Sequence, residues 1–359
     1  MNKDLSQEFI QLSNVSITQL LSCMEASGMK EKFVNDIGET KYNEIVKSMR
    51  SESTIIAMRD LHNWIKLVLI SNTIKFYKQV HKQPISLLDI AIGRGGDLAK
   101  WNKSNVDYIF GFDKSDKSIN SKDPEDQGAL ERLAHFKGSR FKDIHFVVGD
   151  AIRPSKVLLD NIDSFLNKNN LGGFNIVSCQ FALHYFFKTE TDLKIVLSMV
   201  SRFLLPGGFF IGTTIDGDNI KKIFKDSSSK VYTSTLFKVE RKFPKTVKQP
   251  FGNEYLFTIF DSKDKANYFN TMGMSTEYLV NFKKLEEVAE EFKLRPVKLN
   301  FFEEYTLGKQ KMYTETKKYP MSFTEIHNLG KWKPKSRDIT QEELELNGLY
   351  KTFVFQKIG

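Results

Sequence analysis

Apolar and polar positions change rhythm several times along this chain. Over residues 1–50 the apolar side chains recur at helical spacing (Phe9, Leu12, Val15, Leu20, Leu21), which predicts a peripheral helical extension. Residues 54–80 read as a longer amphipathic helix containing Asn63-Trp64-Ile65-Lys66. From residue 86 onward, short apolar runs alternate with helix-length stretches. The runs are 86–92, 108–113, 144–149, 174–180 and 208–215, the last entered through the turn Leu205-Pro206-Gly207-Gly208. Continuous apolar runs belong to strands covered on both sides, so this rhythm predicts a mostly parallel sheet with helices on both faces. Residues 217–282 break it. They are rich in Lys, Thr and Phe, alternate at Tyr255–Phe260, and predict an inserted antiparallel module. A helix over 283–293 (Leu285, Val288, Ala289, Phe292), a strand over 296–302 and a final strand over 350–357 are expected to complete the sheet. Between them, 306–343 reads as a polar loop region.

The sharpest punctuation is Gly93-Arg94-Gly95-Gly96, directly after the apolar run Leu87–Ile92. A glycine turn at the C-terminal end of the first strand of such a sheet lets a ligand approach bare backbone. Asp113 closes the second run twenty positions after Gly93, where an acid suits a ribose diol. A dinucleotide fingerprint requires Gly-x-Gly-x-x-Gly, and Leu98 stands where its third glycine belongs. Asp89 would repel a pyrophosphate but could hold an ammonium. The pattern therefore points to a cationic amino-acid nucleoside, S-adenosylmethionine (AdoMet). Asp89 and Gly93 would meet its amino-acid end, Asp113 its ribose, and Asp150 its adenine amine. Asp150 equally suits the N-cap of the next helix.

Composition adds boundaries to this picture. The chain has 359 residues, 40% hydrophobic and 13% aromatic, enough for a large globular core. A net charge of +9 favours a polyanionic partner. Cys23 and Cys179 form no disulfide framework and no Cys-x-x-Cys metal site, which suits a reducing, intracellular compartment. There is no apolar run of 18 residues and no secretory h-region, so neither a membrane partner nor export is expected.

A second motif, Phe174-Asn175-Ile176-Val177-Ser178-Cys179-Gln180-Phe181-Ala182-Leu183-His184-Tyr185, joins the glycine turn and Lys100-Trp101 in a recognisable set. With Asn63-Trp64-Ile65-Lys66, Leu205-Pro206-Gly207-Gly208, Thr276-Glu277-Tyr278-Leu279 and Gly348-Leu349-Tyr350, it resembles the mRNA cap guanine-N7 methyltransferase family, in order from about residue 55 to the end. Thr213-Thr214-Ile215-Asp216-Gly217-Asp218 is similar to the branch found in large DNA viruses, which would place the chain in the cytoplasm of an infected cell or in a virion. The chain departs from the family at Ala91-Ile92-Gly93, where Gly-Cys-Gly is usual. It also lacks the Lys-x-Asp-Gly motif of guanylyl transfer.

The resemblance implies a class I AdoMet-dependent methyltransferase fold: a Rossmann-like, mostly parallel seven-stranded sheet over residues 54–359, with 217–282 as a cap-binding insert. It implies transfer of the AdoMet methyl to N7 of the guanine cap of GpppN-RNA, with S-adenosylhomocysteine as product. Lys66 would pair with the AdoMet carboxylate, and Gln180 and Phe181 would line the pocket between the two ligands. Glu277 would accept the N1–H and N2–H of guanine, with His184, Tyr185 and Tyr350 around the base and ribose. Asn63, Arg94 and Lys100 would surround the cap and its triphosphate. Guanine N7 carries no proton, so in-line displacement needs no general base and no metal. Capped RNA is the implied partner, with sibling capping domains or a stimulatory subunit as others. Two alternatives stay open on the sequence: a methyltransferase acting on another RNA base or a small molecule, and an inactive RNA-binding or stimulatory subunit that kept the fold.

Overall fold

The computed structural model describes residues 53–261, 274–307, 310–315 and 320–359. The expected N-terminal helices, Cys23 and part of the 217–282 insert lie outside the described residues.

Helix α1 (Ile56–Val80) buries Leu61, Ile65, Leu69, Ile70, Ile74 and Tyr77, the four-residue spacing that makes one apolar face. It covers a seven-stranded sheet built from β1 (Ser86–Ile90), β2 (Tyr108–Asp113), β3 (Asp143–Val148), β4 (Phe174–Gln180), β5 (Leu204–Ile215), β10 (Leu294–Pro296) and β13 (Tyr350–Lys357). Their spatial order is β10-β13-β5-β4-β1-β2-β3. Strands β1 to β5 pair in parallel, and β13 and β10 are antiparallel to their neighbours. The crossovers carry α2 (Leu98–Lys103), α3 (Asp116–Asn120), α4 (Ala129–Ala134), α5 (Lys156–Lys168) and α6 (Glu190–Phe203). Two apolar clusters, one containing Leu61 and Ile65 and the other Leu193 and Val196, make up the core. This is the class I AdoMet-dependent methyltransferase architecture, with the switch point between β1 and β4.

After α7 (Gly217–Ile223), strands β6 (Val231–Thr233), β7 (Phe237–Arg241), β8 (Glu254–Ile259) and β9 (Ser275–Tyr278) form a four-stranded antiparallel sheet. Its inward residues Phe237, Val239, Tyr255 and Phe257 belong to the same core cluster as α1 and Tyr350. The insert therefore shares the core of the main sheet instead of forming a separate lobe.

Two expectations are corrected. The strand expected over 296–302 does not close the sheet. The sheet edge is β10; the Val297 N–H still donates to the Val354 carbonyl at 2.9 Å, and the chain then peels away into a hairpin of β11 (Leu299–Leu307) and β12 (Gln310–Glu315). Phe301 and Phe302 are buried there, and Asn72 Nδ2 of α1 donates to the Phe301 carbonyl at 2.7 Å. The region 306–343 is also not a plain polar loop. Besides β12 it holds α9 (Phe323–Asn328), and α10 (Gln341–Asn347) follows directly; α8 is the expected helix, at Phe282–Glu291. Both α9 and α10 start with reciprocal caps, Ser322 with Glu325 and Thr340 with Glu343.

Candidate active site

The segments that follow the C-terminal ends of β1 and β4 meet α1, Asp97 through Lys66 and Phe181 through His62. Strand β1 delivers Asp89 at 3% exposure, and the chain then turns with Ala91, Gly93 and Gly95 at φ 59°, 54° and 67°. Asp89 Oδ1 is buried without a hydrogen-bond partner. Burial, reinforced by Asp97 and Asp113, raises its carboxyl well above the usual range, against Ser178 and Lys66. A buried carboxylate in this condition fits a cationic ligand. Asp113 accepts from the Gly93 N–H (2.8 Å) and the Ser115 N–H (2.9 Å), so the acid ties the glycine turn to the end of β2. Each oxygen keeps a lone-pair direction for a ribose hydroxyl. Asp150 accepts from the Ile152 N–H at 2.9 Å; the helix cap expected of it falls to Ser155, at the start of α5. These acceptors fit the amino, ribose and adenine parts of AdoMet.

Ala91 is the one alanine in this turn region, and a left-handed alanine is strained by about 1–2 kcal/mol. Glycine would remove that strain and lose about 0.5–1 kcal/mol to chain entropy. Ala91→Gly is therefore expected to hold or slightly raise the melting temperature, and a fall in a thermal melt would contradict the strain.

Lys66, one helical turn beyond His62 on α1, places its ammonium 2.7 Å from Asp97 Oδ1 and 5.5 Å from the centre of the Phe181 ring. Lys100 meets the same oxygen at 2.8 Å and donates to the Gly96 carbonyl. The two lysines overcome burial and hold the Asp97 carboxyl below its ordinary value. Arg94 is 5% exposed and bound to Asp126, through its side chain at 2.7 Å and its carbonyl at 2.5 Å. Both cations assigned to a triphosphate are thus paired with an acid, and each acid is shared with a second cation, Asp97 with Lys66 and Asp126 with Lys117 at 3.1 Å. Asn63 is half-buried on α1.

Beyond β4, Gln180 accepts from the Thr213 hydroxyl (3.0 Å), and the Phe181 N–H donates to the Thr213 carbonyl (2.8 Å). Phe181 also has positive φ, 58°, unusual for a bulky residue. Its ring stacks on His62 at 5.4 Å and meets Tyr350 edge-on at 5.4 Å. Burial lowers the His62 pKa to about 3, so this imidazole is neutral. A 3-10 helix (Leu183–Phe187) then buries His184 and leaves Tyr185 partly exposed, their rings 4.2 Å apart.

Across the cleft, β9 presents Glu277, 5% exposed, from the inner face of the antiparallel sheet. Its cross-strand partner Tyr255 donates to Oε2 at 2.8 Å, and Ser275 donates to Oε1 at 2.9 Å. His184 Nε2 lies 3.7 Å from Oε1. Burial lowers the His184 pKa, so the pair is a neutral imidazole beside a carboxylate. Burial and Glu277 together push the Tyr350 hydroxyl pKa up, as they do for Tyr255.

The cofactor candidates and the Glu277 group are thus joined by Phe181, Tyr350 and His184. Sequence reasoning missed four participants: Asp97, His62, Tyr255 and Ser275. Asp97 sits inside the glycine motif three residues before Lys100, a local signal; the other three show their role only through contacts made by folding. Among the described residues no cluster of metal-ligating side chains occurs and no helix is long and apolar enough to cross a membrane.

The chain is similar over most of its length to proteins of one family. The family model of the mRNA (guanine-N(7))-methyltransferase domain matches residues 25–358. mRNA cap guanine-N(7) methyltransferase 1 of Oryza sativa subsp. japonica is 30% identical over 318 residues, covering 86% of this chain and 77% of the relative. The mRNA cap guanine-N(7) methyltransferase of Schizosaccharomyces pombe is 29% identical over 331 residues, covering 90% and 82%. Among solved structures, the CcbJ methyltransferase from Streptomyces caelestis overlays with a TM-score of 0.47 at 10% identity, covering 89% of this chain and 99% of that one. These two relatives are eukaryotic, and the likeness to a viral branch rests on Thr213–Asp218 alone. A family match over residues 25–358 makes this protein a member of the mRNA (guanine-N7)-methyltransferase family.

Proposed function

We propose that this chain transfers the methyl group of AdoMet to N7 of the guanine cap of GpppN-RNA, leaving S-adenosylhomocysteine. The observation that carries the proposal is the buried Glu277 carboxylate. A carboxylate offers about four lone-pair directions. Tyr255 and Ser275 take two, which leaves two for the adjacent N1–H and N2–H of guanine, an edge that adenine lacks. As N7 gains positive charge those protons become more acidic and the two bonds strengthen, so the interaction favours the transition state over the ground state.

When bound, AdoMet supplies a methyl made electrophilic by its sulfonium. The residues of this chain bind and orient. Asp89, Gly93 and Lys66 hold the amino-acid end, Asp113 the ribose and Asp150 the adenine. Gln180 and Phe181 form the floor shared with the cap. His184, Tyr185 and Tyr350 enclose the guanosine with Glu277. Asn63, Arg94 and Lys100 take the triphosphate, the two cations by exchanging Asp126 and Asp97 for phosphate oxygens. N7 has no proton to remove, so proximity and orientation carry the rate; in well-oriented systems they supply roughly 7–11 kcal/mol. A stimulatory subunit or sibling capping domain would act by raising occupancy of this cleft.

The test is to incubate labelled AdoMet with GpppA-RNA, ApppA-RNA and tRNA. Label is expected on GpppA-RNA alone. Label on tRNA would transfer the site to another base, and RNA binding without label would leave an inactive subunit.

Tyr255 is a positioning residue in this scheme. Tyr255→Phe is expected to lower kcat/KM for GpppA-RNA about tenfold, the loss of one hydrogen bond to a charged group. In a Glu277→Gln background the same change should cost little, and an undiminished effect there would make Tyr255 merely structural.

A further inference from the structure

Residues 219–251 hold nine Lys and Arg against two acids, Asp226 and Glu240, so this tenth of the chain carries +7 of the net +9. The fold concentrates part of that charge beside the guanine pocket. Arg241 and Tyr255 are register partners, as are Tyr255 and Glu277, and the Arg241 N–H donates to the Lys230 carbonyl at 2.7 Å. Lys230, Arg241, Tyr255 and Glu277 therefore form one row across the inserted sheet, and Lys242 follows immediately. At about 4.8 Å per strand the row is ~14 Å long, a span of two or three nucleotides. The loop after Lys242, with Lys245 and Lys248, returns to the cleft: the Gly252 N–H donates to the Phe187 carbonyl at 3.0 Å, and Phe251 stacks on Phe187 at 5.4 Å. Phe187 lies two residues beyond Tyr185. Lys230, Lys242, Lys245 and Lys248 are all exposed. The acids at this end are Glu240, paired with Lys242, and Glu254 on β8.

We infer that the first nucleotides of the RNA body cross this end of the inserted sheet, with Lys230, Lys245 and Lys248 facing their phosphates. The inference rests on the proposed cap methylation and adds the path of the RNA beyond the cap. A basic strip with no base-reading side chains binds phosphates independently of sequence and with strong salt dependence.

The experiment compares the full chain with a Lys230→Gln/Lys245→Gln/Lys248→Gln variant on two substrates, the dinucleotide GpppA and a GpppA-capped 20-mer. The variant is expected to methylate GpppA as the parent does, while KM for the 20-mer rises about tenfold and the slope of log KM against log salt falls by about 2. Arginine at the same three positions should restore the 20-mer KM. An unchanged 20-mer KM with normal dinucleotide turnover would overturn the RNA path, leaving the strip to another polyanion such as an acidic protein. If the parent chain methylates neither substrate, the cap methylation itself fails instead.

Discussion

Glu277→Gln is expected to lower kcat/KM for GpppA-RNA by about 10²–10⁴-fold, the worth of two hydrogen bonds to a charged acceptor at roughly 1.5–3 kcal/mol each. Gln keeps the volume but loses the charge, and its NH₂ opposes one guanine N–H donor. Tyr255 and Ser275 donate to Oε2 and Oε1, and one of them loses its acceptor to the NH₂ while the other keeps the amide oxygen. The AdoMet dissociation constant should stay within about twofold, because Glu277 belongs to the inserted sheet and no AdoMet residue hydrogen-bonds to it. Steady-state kinetics together with calorimetric AdoMet binding check this; equal losses in both would remove Glu277 from guanine recognition.

Asp89→Asn is expected to weaken AdoMet about 10²-fold or more, since it takes away the carboxylate that a buried ammonium would pair with. The ligand-free protein should respond in the opposite direction. Burial, then Asp97 and Asp113, raise the Asp89 pKa in the folded state. The unfolded chain therefore loses this proton first as pH rises. That makes Asp89's contribution to stability fully present below its unfolded pKa, near 4, and lost as pH climbs through the raised folded value. Above that raised value the wild-type chain carries a buried carboxylate, its Oδ1 without a hydrogen-bond partner, that asparagine does not. Asp89→Asn should flatten the decline of the melting temperature from pH 4 upward, while AdoMet stabilises only the wild type. A decline as steep in the variant as in the parent, or AdoMet affinity like that of the parent, would overturn the assignment.

These two residues divide the site by how it could be seen beforehand. Asp89 lies in a strand-turn-helix signature whose chemistry is local, so its position at the end of β1 beside the glycine turn follows from spacing. Glu277 was named through its Thr276-Glu277-Tyr278-Leu279 motif, but the hydroxyls that orient it come from Tyr255, on the next strand, and Ser275. Arg94 and Lys100 show what spacing misses. Both were expected to offer free charge to a triphosphate, and both are paired with acids, Arg94 with Asp126 thirty-two positions away. The hairpin of Leu299–Glu315 was misjudged for a related reason: Phe301 and Phe302 suit a sheet strand as well as a patch against α1, and only the neighbours decide. By contrast, α9 and α10 were locally legible, since Ser322-x-x-Glu325 and Thr340-x-x-Glu343 are capping boxes by spacing alone.

By itself, then, the order of residues determined what depends on near neighbours: five parallel strands, the glycine turn with its acids, the antiparallel insert and the family motifs. Backbone preference and side-chain period act over a few residues and are written there directly. The tertiary structure alone decided which charges are paired, that Phe181, His62 and Tyr350 pack together, and that Lys230 and Arg241 share a cross-strand row with Glu277. Those outcomes depend on desolvation and on contacts between distant segments, and neither exists until the chain has closed on itself.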